Sequence, residues 1–238
     1  MKMPVFQKNS EKSALGGQPK ATKRVKVAAS ILNCNFLRLY EEIKSIEKAG
    51  IDALHLDVMD GHFVPNLSFG VPILKSIRQV TKLPIISHLM VIKPEDLIDK
   101  FIADSDGIIF HIEATKRPRH CLHQIHQAKK LAGISLNPDT PVEAIFKYSN
   151  QIEEILVMSV HPGFGGQAFI AKSLERIRAI KKYLTSVNSC AMLAVDGGVN
   201  PNNAPSLIKA GVDILVAGTA IFSSTNYKQT IERLRCSK

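Results

Sequence analysis

From residue 25 onward the chain alternates short β-branched runs with segments of helical period, and that alternation restricts it to parallel strands each followed by a covering helix. Eight strand candidates stand in order: VKVAAS (25–30), DALHLD (52–57), PIISH (84–88), DGIIFHIE (106–113), GISL (133–136), EEILVMSV (153–160), AMLAVD (191–196) and VDILVAG (212–218). Between the first two, FLRLYEEIKSIEKAG (36–50) sets Leu37, Tyr40, Ile43, Ile46 and Glu47 at helical spacing and closes on a glycine able to take the left-handed cap conformation. AGI at 49–51, AGI at 132–134 and AGV at 210–212 repeat that helix-stop, strand-start punctuation. A doubly wound open sheet can be assembled from the same elements. Polar residues, however, gather after nearly every strand, as they do in a closed (β/α)8 TIM barrel whose active site lies at the C-terminal strand ends. The expected class is therefore α/β, with residues 25–238 as one barrel domain.

At 238 residues and 45% apolar content, the chain is long enough for one large core. The apolar runs ILVMSV (155–160) and ILVAG (214–218) fall far short of a membrane span. Cys34, Cys121, Cys190 and Cys236 form no C-x-x-C pair and suit a reducing, cytoplasmic setting. The net charge of +10 suggests a polyanion partner until it is divided along the chain. Residues 1–26 hold seven Lys/Arg against Glu11 alone, leaving 24 basic and 20 acidic residues, or +4, in the remainder. A mildly basic core suits an anionic metabolite and requires neither nucleic acid nor membrane. Residues 1–24 are expected to be a basic, disordered extension; an organellar targeting peptide is the other reading.

The second strand ends in HLDVMDGHFVPN (55–66), and strand alternation puts His55 and Asp57 on one face. An isolated H-x-D pair is weak evidence for ligation. His88 ends the third strand and Asp196 the seventh, however, and two imidazoles with two carboxylates at the strand ends of one barrel make an N2O2 site for Zn, Fe(II), Mn or Co. HPGFGGQ (161–167), DGGVN (196–200) and AGTAIF (217–222) follow strands six, seven and eight. Glycines there allow backbone N–H groups to approach an anion, and barrels often hold phosphate at the loops of strands seven and eight.

Other polar clusters point elsewhere. His120, His123 and His126 advance in steps of three on a covering helix, which carries them around its surface and away from the strand ends. His62, His111 and His161 lie nearer the mouth without a clear partner, and Glu113 simply satisfies His111 on this reading. Met59, Met90 and Met158 are core filler by default and apolar walls of a site by the sharper reading.

SILN (30–33), HLDVMDGHFVPN (55–66), HLMV (88–91), LNPDTPVE (136–143), MSVHPGFGGQAFI (158–170), VDGGVN (195–200) and VAGTAIF (216–222) together resemble the ribulose-phosphate 3-epimerase family across residues 27–235. The resemblance implies a barrel of the ribulose-phosphate-binding type acting on a small sugar phosphate as a homo-oligomer. It implies that His55, Asp57, His88 and Asp196 hold one divalent metal and that Asp57 and Asp196 are also the acid and base. Ser30, His88 and Asp196 would contact substrate, with Gly163, Phe164, Gly165, Gly166, Gly197, Gly198, Gly218 and Thr219 around its phosphate end. Met59, Met90 and Met158 would cap the reacting carbon. Ala29, Asn35 and Ser87 depart from the family's usual residues without touching an implied ligand. A sister family acting on allulose 6-phosphate reads PGFAGQ and DGSCN where this chain has PGFGGQ and DGGVN, which favours the pentulose enzyme. A lysine-dependent aldol or decarboxylating barrel would need a lysine at a strand end, and no strand candidate ends in one. A non-catalytic phosphate-binding barrel is the remaining alternative.

Overall fold

The computed structural model describes residues 24–235. The strands are β1 (Lys26–Ser30), β2 (Ala53–Met59), β3 (Ile85–Met90), β4 (Gly107–His111), β5 (Leu131–Leu136), β6 (Glu154–Met158), β7 (Met192–Asp196) and β8 (Ile214–Ala217). All pair in parallel with their sequence neighbours, and β1 pairs with β8 to close the barrel. The covering helices are α1 (Leu39–Lys48), α2 (Val71–Val80), α3 (Ile98–Phe101), α4 (Pro118–Gln127), α5 (Ser173–Ser186), α6 (Ala204–Ala210) and α8 (Tyr227–Arg235), with the short α7 (Thr219–Phe222) directly after β8.

Two cores follow from strand alternation. On β2, Leu54, Leu56 and Val58 face outward into the large strand–helix core, where Ile43, Ile46, Leu74 and Ile77 supply the buried stripes of α1 and α2. Ala53 faces inward and joins Ala28, Ile86, Ile109, Leu156, Met192 and Ile214 in a second cluster that fills the barrel. His55 and Asp57 share the inward face of Ala53 and stand above that floor.

Three local expectations change. The AGI at 132–134 is not a helix stop: Lys129 takes the left-handed turn at φ 58°, and Gly133 lies inside β5. A Cβ at Gly133 would stand 2.7 Å from Ile109 Cγ1, so the glycine serves close packing inside the barrel. The segment between β5 and β6 is covered by a 3-10 helix, Val142–Tyr148, in place of an α-helix. β2 and β3 continue to Met59 and Met90, which puts both methionines within the strands rather than past them. Of the basic extension only Arg24 falls within the described residues, with its guanidinium 3.6 Å from Asp52. No described helix is long and apolar enough to cross a membrane.

Candidate active site

The register that pairs Asp57 with His88 across β2 and β3 places their side chains together. His88 Nδ1 lies 3.2 Å from Asp57 Oδ1, and His55 Nε2 lies 3.3 Å from that same oxygen and 3.7 Å from Asp196 Oδ2. One ligand atom from each of His55, Asp57, His88 and Asp196 falls within 4.8 Å of the others. His55 Nε2 is buried and has no hydrogen-bond partner, although it faces both carboxylates. A buried imidazole nitrogen left unpaired costs free energy that ligation recovers, so the donor set fits a divalent cation. Two imidazole nitrogens with two carboxylates accommodate Zn, Fe(II), Mn or Co.

The two carboxyl groups are pushed in opposite directions. Burial raises the proton affinity of Asp57, but the close approach of His55 and the hydrogen bond of His88 outweigh it and hold the group well below its ordinary value. Burial and the neighbouring Asp57 charge raise Asp196 above its ordinary value, opposed by His55. The Ser30 hydroxyl at the end of β1 donates to Asp57 Oδ2 at 2.6 Å.

Above this cluster opens a cavity of about 260 Å3. Ser30, Asp57 and Asp196 line its floor, and Met59, Met90 and Met158 line its apolar side. Gly163, Phe164, Gly165 and Gly166 border it from the loop after β6, Gly197 and Gly198 from the loop after β7, and Gly218 and Thr219 from the start of α7. His55 and His88 lie beneath this surface, at 1% and 0% exposure, and do not line the cavity. The glycines of the β7 loop are required sterically. Gly197 and Gly198 have φ of 113° and 63°, and a Cβ on Gly198 would stand 2.6 Å from the Phe169 backbone nitrogen.

The model of the Ribulose-phosphate 3 epimerase family matches residues 26–222. The chain belongs to that family. It is 42% identical over 211 residues to the ribulose-phosphate 3-epimerase of Methanocaldococcus jannaschii, covering 89% of this chain and 90% of that protein. It is 42% identical over 216 residues to the ribulose-phosphate 3-epimerase of Bacillus subtilis, covering 90% and 100%. Among solved structures, a mutant tryptophan synthase α-subunit from Pyrococcus furiosus aligns with a TM-score of 0.67 at 14% identity over 89% of this chain and 98% of its own, a likeness of fold alone.

In this member of the epimerase family, side-chain amides that the motifs did not single out hold the glycine loops. Asn66 donates to the Gly163 carbonyl at 2.7 Å, and Gln167 donates to His161 and Phe164 carbonyls at 2.7 and 2.9 Å. Asn200 and Asn203 both donate to the Gly198 carbonyl, at 3.1 and 2.9 Å. The Ser159 hydroxyl bridges the carbonyls of Asp196 and Gly197 at 2.8 and 2.7 Å. Such carboxamides near glycine turns are readable in sequence only as turn formers. His120, His123 and His126 are exposed on α4. His111, by contrast, is fully buried, faces Glu113 as its spacing suggested, and also meets His88, a contact that sequence spacing did not give.

Proposed function

We propose that the protein inverts C3 of a 2-ketose phosphate, interconverting D-ribulose 5-phosphate and D-xylulose 5-phosphate within the pentose phosphate pathway. The observation that carries the reading is the pairing of two oppositely perturbed carboxyls on the cavity floor, Asp57 and Asp196, with two histidines buried directly beneath them, in a chain of this family. Removing a proton beside a carbonyl generates an enediolate, and inversion needs one group to take the proton and a second to return one to the opposite face. Asp57, which favours its ionised form, suits the base, and Asp196, which holds a proton more tightly than an ordinary carboxyl, suits the acid; the roles exchange in the reverse direction. A divalent cation at His55, Asp57, His88 and Asp196 supplies Lewis-acid stabilisation of the negative charge on the substrate oxygens.

The remaining side chains bind and orient. Ser30 fixes the Asp57 carboxylate, the three glycine loops receive the phosphate, and Met59, Met90 and Met158 exclude water from the reacting carbon. His88 acts from beneath, through Asp57, and its burial outside the cavity lining argues against the direct substrate contact that the family resemblance implies. We extend the reading to residues 25–238 as one catalytic domain in the reducing cytoplasm, where the unpaired Cys34, Cys121 and Cys190 stay as thiols. The partner is the sugar phosphate alone, without nucleic acid, and the chain self-associates. Leu37 at 97% exposure, with Phe36, Tyr40 and Leu67 also exposed, supports burial against another copy.

A coupled epimerase assay on ribulose 5-phosphate, run beside allulose 6-phosphate before and after chelation and metal restoration, tests substrate and cation together. Preference for the hexulose phosphate, or activity indifferent to chelation, overturns the assignment.

A further inference from the structure

His111, on the inward face of β4, belongs to neither the ligand set nor the cavity lining, yet its Nε2 lies 2.9 Å from His88 Nε2. The two rings are within 20° of parallel with centroids 4.9 Å apart. Face-to-face stacking cannot bring two nitrogens so close, so the rings meet edge to edge, as a hydrogen bond between them requires. On its other edge, His111 Nδ1 lies 3.3 Å from Glu113 Oε2. Glu113 is itself fixed: its Oε1 accepts from the Asn137 backbone N–H at 2.7 Å and from the Thr140 hydroxyl. Phe63 packs on the His111 ring, with centroids 4.8 Å apart.

A chain of this kind has a direction. A carboxylate accepts only, so the His111 nitrogen facing Glu113 carries its proton, and a neutral His111 then offers a lone pair at Nε2. His88 donates from Nε2 to use that lone pair; its Nδ1, 3.2 Å from Asp57 Oδ1, would donate to that carboxylate in the absence of a cation, but with a cation shared with Asp57 it keeps its lone pair for the ion. We propose that His111 and Glu113 are positioning residues that hold His88 in the Nε2–H tautomer, so that Nδ1 presents its lone pair to the cation. The inference rests on the cation site proposed above and deepens it. A neutral imidazole free to choose its tautomer would divide between a ligating and a non-ligating form; the Glu113–His111–His88 chain removes the second. The carboxylate also makes the ligand a stronger donor, as carboxylate-backed histidines are at metal centres.

The test uses the full-length protein with zinc as the probe. Zinc affinity is measured by competition with a chromogenic chelator for the parent, Glu113→Gln and His111→Gln, and circular dichroism checks each fold. Glu113 is partly exposed, so Glu113→Gln keeps the test open even if His111→Gln, at a fully buried position, does not fold. The expected result is a loss of affinity of about tenfold or more in Glu113→Gln, with substantial recovery in Glu113→Asp. In 15N spectra of the zinc-loaded parent, His88 should carry its proton on Nε2 and His111 on Nδ1. Unchanged affinity in a folded Glu113→Gln, or a His111 protonated on Nε2 alone, overturns the positioning role. If the parent itself fails to bind zinc, the cation site of the proposed function falls, and this inference falls with it.

Discussion

Ser30 Oγ and Asp57 Oδ2 lie 2.6 Å apart, so the end of β1 supplies a hydroxyl donor to the very carboxylate proposed to take the substrate proton. Hydrogen bonds to charged groups are worth about 1.5–3 kcal/mol. Ser30→Ala should therefore lower kcat/KM by about 10- to 100-fold while leaving zinc affinity within a few fold. Steady-state kinetics beside a chelator titration would show it, and wild-type kinetics would remove Ser30 from the site.

Asp57→Asn and Asp196→Asn should each reduce epimerisation by at least about 100-fold, the lower range for lost acid–base catalysis. Isotope wash-in separates their roles. In deuterated water each variant should still exchange the C3 proton of one epimer through its remaining carboxyl, and the two variants should favour opposite epimers. Exchange of both epimers at the parent rate in either variant would contradict the two-carboxyl mechanism.

Four ligands drawn from β2, β3 and β7 exist together only in the folded barrel, so a cation should stabilise it by mass action. Zinc at a hundredfold excess over its Kd adds about 2.7 kcal/mol, or a rise of about 5–10 °C in Tm for a chain of this size. Scanning calorimetry of chelated and zinc-loaded protein measures the shift. His55→Asn, which removes the otherwise unpartnered Nε2, should lose most of it.

Glu154 gives a pH dependence that involves no substrate. It lies 2% exposed inside the barrel, and burial pushes its carboxyl up to about 7, against the attraction of His55 and Lys26. A carboxyl whose proton is held more tightly in the folded state favours folding fully below its ordinary value of 4.5, and that contribution is lost as pH rises toward 7. Glu154→Gln, neutral throughout, should gain on the parent by up to about 3 kcal/mol between pH 4.5 and 7. Urea unfolding at the two ends of that window, parent against variant, would read the difference; a constant gap would place the Glu154 carboxyl at its ordinary value.

Gly198→Ala would set a Cβ 2.6 Å from the Phe169 backbone nitrogen at a residue whose φ is 63°. The β7 loop must then move from the phosphate end of the cavity. KM should rise by about tenfold or more with a smaller change in kcat, at a stability cost of about 1–3 kcal/mol. A variant with parental KM would show that this loop does not contact the substrate.

The strands were legible because burial on both faces makes them apolar runs, and the one fully misread punctuation mark, Gly133, failed for a tertiary reason: Ile109 leaves no space for its Cβ. The 3-10 segment Val142–Tyr148 and the extensions of β2 and β3 to Met59 and Met90 are set by packing and register, which no local window contains. The grouping of His55, Asp57, His88 and Asp196 could be anticipated because strand ends converge in a closed barrel. The Glu113–His111 pair was also readable from its spacing, but its continuation to His88 was not. His88 pairs in register with Ile109, and only that register brings His111, two residues farther on, against its neighbour's outer nitrogen.

The wide separation of the ligands along the chain bears on how the protein is born. His55, Asp57 and His88 leave the ribosome together on neighbouring strands, whereas Asp196 follows about a hundred residues later, some 5–20 s at ordinary rates of synthesis. Until then a nascent chain owns three-quarters of a cation site and none of the strand that completes it. Tight retention of an ion at this site would thus be a property that only a finished barrel possesses, and its acquisition would date the docking of β7 during biogenesis.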